Sequence, residues 1–197
     1  MRISTSDRHH VENRAADVLI PLIRAAATIG FAVAPCSLGF VIIAVSEQLI
    51  RSIMVGDDPE MLMSDLQNQF PADNFEIAET QDELMQKVVQ MIENPEKAAD
   101  LPLDVRGTEF QMSVWDALQN VPAGSTVSYS ALAEHIGAPD QERAVAQACA
   151  ANPLAVAIPC HRAVQADGDL SGYRWGVERK RALLEREAAF CRMSRRR

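Results

Sequence analysis

From position 31 onward the chain alternates short apolar runs with turn residues: 31–34, 40–45 and 49–55, separated by 35–39 and 46–48. Runs of that length, rich in β-branched residues and bounded by polar breaks, predict a small antiparallel sheet. The period then changes. Leu62, Leu66 and Phe70 recur at helical intervals within 61–70, and Leu84, Val88 and Met91 do so within 81–92, so two amphipathic helices are predicted. Glu79, Asp82 and Glu83 place negative charge where it favours the start of the second helix. Ahead of the sheet, residues 1–25 mix charges, His9 and His10, and a short apolar helix-like segment spans 19–27. These residues read as a leader with no assignable role.

The stretch 94–105 carries Pro95 and Pro102 and reads as a boundary. Beyond it, Phe110, Val114, Trp115 and Leu118 share one face of a predicted helix over 108–118. Residues 121–124 form a turn. Two short helices follow, over 129–136 with Ser128 as N-cap and over 140–151 with Asp140 as cap, joined by Gly137-Ala138-Pro139. That pairing is the helix-turn-helix pattern, a weak signal alone because helical hairpins are common. The second helix runs Arg143-Ala144-Val145-Ala146-Gln147-Ala148-Cys149-Ala150-Ala151. Its side chains are nearly all small, so it suits either close internal packing or entry into a narrow groove with Arg143 projecting.

Charge complicates a nucleic-acid reading at first, since the formal net charge is −8 over 197 residues and nucleic-acid binders usually show a basic footprint. The imbalance is local. Residues 1–100 carry seven basic and sixteen acidic side chains, whereas residues 160–197 carry ten basic and five acidic ones. Net charge averages over faces, so one basic face is enough, with modest non-specific affinity and a shallow salt dependence. A hydrophobic fraction of 48% excludes a disordered or collagen-like chain. Apolar stretches in 16–46 are broken by Pro21, Arg24, Gly30, Pro35 and Gly39, and no secretory signal pattern opens the chain. A cytoplasmic monomer with no membrane partner is expected.

Cys36, Cys149, Cys160 and Cys191 show no paired spacing, which argues against a zinc ribbon or a disulfide framework. His9, His10 and Cys36 lack any metal-ligand spacing. One cysteine differs in context. The run 154–158 is continuously apolar and reads as a buried strand leading into Pro159-Cys160-His161-Arg162. A buried cysteine is usually a small core hydrophobe, but a thiol with a pKa near about 8.5 becomes a nucleophile when an imidazole takes its proton. Adjacent strand positions point to opposite faces, so the chain must turn at Cys160 or a water must link the two groups. A third group should orient the imidazole.

These residues carry a resemblance. Ile158-Pro159-Cys160-His161-Arg162, together with Phe110-Gln111, Val114-Trp115, Val127-Ser128-Tyr129, Arg143-Ala144-Val145, Asn152, Ser171-Gly172-Tyr173-Arg174-Trp175-Gly176 and Leu183-Leu184-x-x-Glu187, resembles the O6-alkylguanine-DNA alkyltransferases, the methylated-DNA–protein-cysteine methyltransferases. The resemblance runs from about residue 26 to 188 and is most specific from about 105 onward. It implies an α/β protein with a small ribonuclease-H-like N-terminal domain over 26–98. A mostly helical, winged-helix-like DNA-binding and methyl-acceptor domain would occupy 103–190, followed by a basic tail over 191–197.

The implied activity is irreversible, single-turnover transfer of the alkyl group of O6-methylguanine, and of O4-methylthymine, in double-stranded DNA to Cys160 after base flipping. No cofactor is implied. His161 would take the thiol proton through a water, and Glu187 would orient it. Tyr129 would turn the target phosphate and protonate the departing guanine; Asn152 would brace the turn before the cysteine. Arg143 would fill the vacated stack, with Ala144 and Ala148 against the duplex. Ser171, Gly172, Trp115 and Val164 would wall the base pocket.

Ala163 departs from the family's usual valine, and Asp140 and Glu142 put acid at the start of the DNA-facing helix. Two other classes compete. A helix-turn-helix regulator or lesion sensor needs no acceptor cysteine, and a cysteine hydrolase gives Arg143 no purpose.

Overall fold

The three apolar runs become β1 (Thr28–Cys36), β2 (Gly39–Ser46) and β3 (Leu49–Gly56) in a computed structural model that describes residues 28–77, 82–94, 100–170 and 172–194. The leader, the segment 19–27, Glu79, Pro95, Ser171 and the last three arginines lie outside the described residues. β1–β2 and β2–β3 pair antiparallel, as the turn signals require. Gly39 opens β2 with φ +103°, and a Cβ there would lie 2.4 Å from the Gly56 carbonyl oxygen. Only glycine fits that approach. A fourth strand, β4 (Asn74–Ile77), joins parallel to β1 and gives the sheet order β3-β2-β1-β4.

Alternation along the strands sorts the core into two layers. Ile29, Ile42, Ala44 and Met54 point to one face and pack with Leu62 and Leu66 of α1 (Pro59–Gln69). Asp58 caps α1 by accepting from the amides of Glu60 and Met61, and Pro59 supplies the fixed φ that suits a first helical turn. Val41, Ile43, Val45, Ile53 and Val55 point to the other face. There they join Val88, Met91 and Ile92 of α2 (Asp82–Glu93) and the buried residues of the C-terminal half in one continuous cluster.

The free edge of β3 holds two distant segments. The Ile50 amide donates to Pro102 O (2.7 Å), and the Asp104 amide donates back to Ile50 O (2.9 Å). Ile53 does the same for the segment before the cysteine, donating to Pro153 O and accepting from the Ala155 amide, both at 2.9 Å. The sheet therefore anchors the acceptor loop directly.

The remaining elements are α3 (Glu109–Gln119), β5 (Val127–Ser128), α4 (Tyr129–His135), α5 (Glu142–Ala150), a 3-10 turn (Cys160–Arg162), β6 (Ala163–Val164) and α6 (Val177–Ser194). Thr108 and Gln111 form a reciprocal capping box on α3, and Ser128 caps α4 as expected. Gly137, at φ +75°, ends α4, with the Ala138 amide reaching back to Ala133 O, a Schellman closure.

Two local expectations need correction. Asp140 does not cap α5: the Gln141 amide bonds Ala138 O in a turn, Gln141 takes the N-cap position without a side-chain bond, and the helix begins at Glu142. Residues 154–158, buried except for the half-buried Ala157, are not a strand. Only Leu154 bridges β3, and the chain then reverses through Val156 (φ +67°), with the Ile158 amide bonding Leu154 O. No helix among the described residues is long and apolar enough to cross a membrane.

Candidate active site around Cys160

The reversal at 154–158 is built around one side chain. The Asn152 amide nitrogen donates to Ile158 O (2.9 Å), Cys160 Sγ (3.1 Å) and Leu154 O (3.4 Å), and its carbonyl oxygen accepts from the Leu154 amide (2.8 Å). Asn152 is fully buried, so these bonds replace the ladder that a strand would supply. They deliver Cys160 to the head of a 3-10 turn in which the Arg162 amide bonds Pro159 O. The bend required by adjacent Cys and His is thus present.

That turn aims His161 at α6. His161 Nε2 donates to Glu187 Oε1 at 2.8 Å, with both side chains 1% exposed. Glu187 also accepts from Arg162 Nε and Nη2 (2.8 Å for the latter) and, at Oε2, from the Gly124 amide (2.9 Å). Arg162 Nη1 reaches Val121 O as well. The 121–124 turn, the cysteine turn and α6 therefore meet on one carboxylate. Burial pushes the Glu187 carboxyl up, but the donors from His161 and Arg162 outweigh it and hold the group down at about 2.

Burial lowers the His161 pKa below its ordinary 6.5, against the opposing pull of Glu187. The imidazole is therefore neutral at pH 7, its Nε2 proton committed to Glu187 and its Nδ1 lone pair unpartnered among the described residues. Burial also raises the Cys160 thiol well above 9.0, while the Asn152 donor and the Lys180 charge pull the other way. The site therefore holds a protonated thiol one residue from a neutral imidazole.

β6 pairs with β5, Ser128 opposite Val164, and this short ladder fixes the start of α4 next to the cysteine turn. Tyr129, 2% exposed, sends its hydroxyl to Gly172 O at 3.3 Å. Burial raises its phenol to about 12, so it holds a proton and donates it. Cys160, His161, Glu187, Asn152, Tyr129, Val164 and Gly172 thus surround one locus, while Ser171 lies outside the described residues.

Two expected pocket or duplex residues lie elsewhere. The Trp115 indole is buried between α3 and α5, donating to Ala148 O at 2.8 Å, and it borders a cleft with Arg51, Phe70 and Pro153. Ala148 itself is 2% exposed. It packs inward because five residues of helix turn it well away from Arg143, whose exposed neighbours on α5 are Gln147 and Ala150. Ala144 is half-buried. Sequence reasoning missed Arg162 and Gly124 as partners of Glu187; the arginine was inside the quoted motif, whereas a backbone amide leaves no sequence signal.

A buried thiol bonded to Asn152 thus sits one residue before a buried histidine–carboxylate pair, an arrangement that fits a cysteine nucleophile. Residues 109–189 match the family model described as 6-O-methylguanine DNA methyltransferase, DNA binding domain. The chain is 51% identical over 159 residues to the bifunctional transcriptional activator/DNA repair enzyme Ada of Escherichia coli, covering 80% of this chain and 45% of that protein. It is 37% identical to the methylated-DNA–protein-cysteine methyltransferase of Debaryomyces hansenii, covering 68% of this chain and 76% of the relative. The crystal structure of Mycobacterium tuberculosis OGT in complex with DNA superposes with TM-score 0.63 at 31% identity, covering 82% of this chain and 93% of that one. The chain belongs to the methylated-DNA–protein-cysteine methyltransferase family. It spans about half the length of the first curated relatives it matches.

Proposed function

We propose that the chain repairs double-stranded DNA by moving the alkyl group of O6-methylguanine, and of O4-methylthymine, onto Cys160, once per molecule. The observation that carries this reading is the Asn152–Cys160 and His161–Glu187 arrangement: a sulfur held by a donor, next to a neutral base whose other nitrogen is fixed by a carboxylate. A relative of the same fold is described in complex with DNA. The target atom is stacked in the duplex, so the nucleotide must be flipped, at a cost of a few kcal/mol. Arg143, exposed on α5, fills the gap and offsets part of that cost.

In the reaction, His161 Nδ1 takes the thiol proton through one bridging water, and Glu187 stabilises the imidazolium that forms. The sulfur attacks the methyl carbon; the S–C bond forms as the C–O6 bond breaks, and the electron pair stays with the base. Tyr129 gives its phenolic proton to the departing guanine. Asn152 aims the sulfur, and Val164 and Gly172 wall the base. The thioether is stable and no group in the site displaces the methyl, so turnover ends there.

We read residues 26–98 as a ribonuclease-H-like unit and 103–190 as the DNA-binding and acceptor unit, with α4 and α5 as its winged-type helix-turn-helix. Their shared apolar cluster supports a fixed relation between sheet and acceptor. The test is stoichiometry. Duplex carrying labelled O6-methylguanine should leave at most one label per chain, on protein. Label released as methanol, or many turnovers per chain, would refute the reading.

A further inference from the structure

The cleft beside Trp115 has a polar wall as well as an aromatic one. It measures about 180 Å³, and its polar lining is Arg51 of β3, Gln69 at the end of α1, Asp104 and Arg106 of the segment tied to β3, and Gln111 of α3. Ala151, the residue that closes α5, completes that side. Pockets for drug-sized ligands run from about 300 Å³ upward, so this volume suits one compact group.

The donors say what kind of group. Asp104 is pinned through its amide to Ile50 O (2.9 Å). Its carboxylate takes a two-pronged contact from Arg106, Nε to Oδ1 at 3.0 Å and Nη2 to Oδ2 at 2.7 Å. That fork fixes the guanidinium plane and leaves Nη1 outside it, on a side chain that is 56% exposed. Arg51 lies deeper, its guanidinium carbon 4.8 Å from the centre of the Phe70 ring and its Nε 3.6 Å from Asp104 Oδ2. Asp73 also approaches Arg51 Nη1, at 3.8 Å, from outside the lining. Gln69 Oε1 accepts from the Ser52 hydroxyl and Gln111 Oε1 from the Thr108 amide, so what each side chain can still offer is its NH2. Two guanidinium groups and two NH2 groups thus share the cleft with one carboxylate. A donor-rich lining with one more cation than anion suits an anionic ligand.

Its place decides which anion. On α5 the residues Arg143, Gln147, Ala150 and Ala151 are exposed and recur at i, i+4, i+7 and i+8, so they form one stripe. The stripe begins at the residue assigned to the vacated stack and ends at the cleft. At about 1.5 Å per residue the two lie about 12 Å apart along the helix, roughly three or four base steps of duplex at about 3.4 Å each. Arg51, Gln69, Asp104 and Arg106 all precede the matched DNA-binding segment 109–189.

We propose that this cleft receives a backbone phosphate of the duplex, three or four steps from the flipped nucleotide, bound by Arg106 and backed by Arg51. The inference rests on the reading that α5 faces DNA, and it extends the contact to the sheet half of the chain. A phosphate oxygen takes Arg106 Nη1 without breaking the fork to Asp104. The acid therefore braces the guanidinium and does not compete for it.

The test uses the full chain with Cys160→Ala, which removes the acceptor so that the complex is not consumed, on duplex with a single O6-methylguanine to fix the register. Affinity is read by fluorescence anisotropy over a salt series. Arg106→Gln should lower the slope of log K against log salt by about 0.9. Over the decade of salt below about 1 M that is a loss of about eightfold in affinity. Arg106→Lys should retain most of both. A scan of neutral methylphosphonates then places the contact: one substitution three or four steps from the lesion should weaken the protein with Arg106 and cost Arg106→Gln nothing further.

An unchanged slope in a folded Arg106→Gln protein would overturn the proposal. So would a scan in which no phosphate at that distance matters, a result that needs no variant at Arg106. A free anion in the cleft would show instead as a higher melting temperature in inorganic phosphate than in chloride of equal ionic strength, lost in Arg106→Gln while the slope stays put; that too refutes the DNA contact. Failure of the underlying DNA reading looks different. The protein with Arg106 intact would then bind the duplex no more tightly with the lesion than without it, and wild type would transfer no methyl.

Discussion

The interior behind the sheet and the interior around Cys160 follow opposite rules. Along β2 and β3 the buried positions are Val41, Ile42, Ile43, Ala44, Val45, Ile50, Ile53, Met54 and Val55, interrupted only by Ser52, whose hydroxyl lies 3.2 Å from Gln69 Oε1 and from Pro153 O. Around the cysteine the interior holds Asn152, His161, Lys180 and Glu187. Apolar burial stabilises at about 25 cal/mol per Å² without regard to direction, so the sheet tolerates repacking. Buried polar groups are worthwhile only when each is satisfied or used. The contrast separates a platform from a working site, and the free edge of β3 joins the two through Ile53, Pro153 and Ala155.

The sharpest way to break that contrast is Glu187→Gln. It removes the charge and one of the two acceptor oxygens that His161, Arg162 and Gly124 share, and loss of an oriented base should slow single-turnover transfer about 100-fold or more. A rate within twofold of wild type would reduce the His161–Glu187 pair to packing. The same residue sets an acid limit. Its folded pKa is about 2 against an ordinary 4.5, so its contribution to stability is present above pH 4.5 and is lost as pH falls from there toward 2. Acid unfolding followed by circular dichroism should show that loss in wild type and not in Glu187→Gln. His161, whose pKa is lowered below 6.5, adds a loss in the same direction that begins as pH drops below 6.5.

Arg143→Ala comes next. Transfer from duplex should slow about tenfold, because the cost of holding a flipped base is a few kcal/mol, while reaction with free O6-benzylguanine stays unchanged. Equal losses on both substrates would remove the finger role. The smallest effect belongs to the platform. Ile43→Val should cost about 1 kcal/mol by denaturant titration and leave the transfer rate of the folded protein unaltered. A slowed rate would mean that the sheet tunes the acceptor as well as anchoring it.

The platform was legible in the sequence because apolar runs and turns carry the sheet signal; β4 was not, since Asn74-Phe75-Glu76-Ile77 is short and buries little. The reversal at 154–158 was misread as a strand for a physical reason. A continuous apolar run says that a segment is buried, and the bonds that bend it come from the Asn152 side chain. Cys160, His161 and Tyr129 were legible as motifs, and the structure gathers them. Ala148 was misplaced by treating α5 as uniformly small rather than one-sided. Glu187 and Lys180 would ordinarily read as solvated helix positions, and only the three-dimensional face of α6 reveals both as interior. Gly124 contributes a backbone amide, which residue type does not announce.

The most direct measurement is the location of the methyl group after one exposure to duplex O6-methylguanine, by peptide mass spectrometry of wild type and Cys160→Ala. One methyl on the peptide containing Cys160, and none on any peptide of the variant, is the expected result. Methyl on Cys149, Cys36 or Cys191, or a modified Cys160→Ala chain, would contradict the assignment of Cys160 as acceptor.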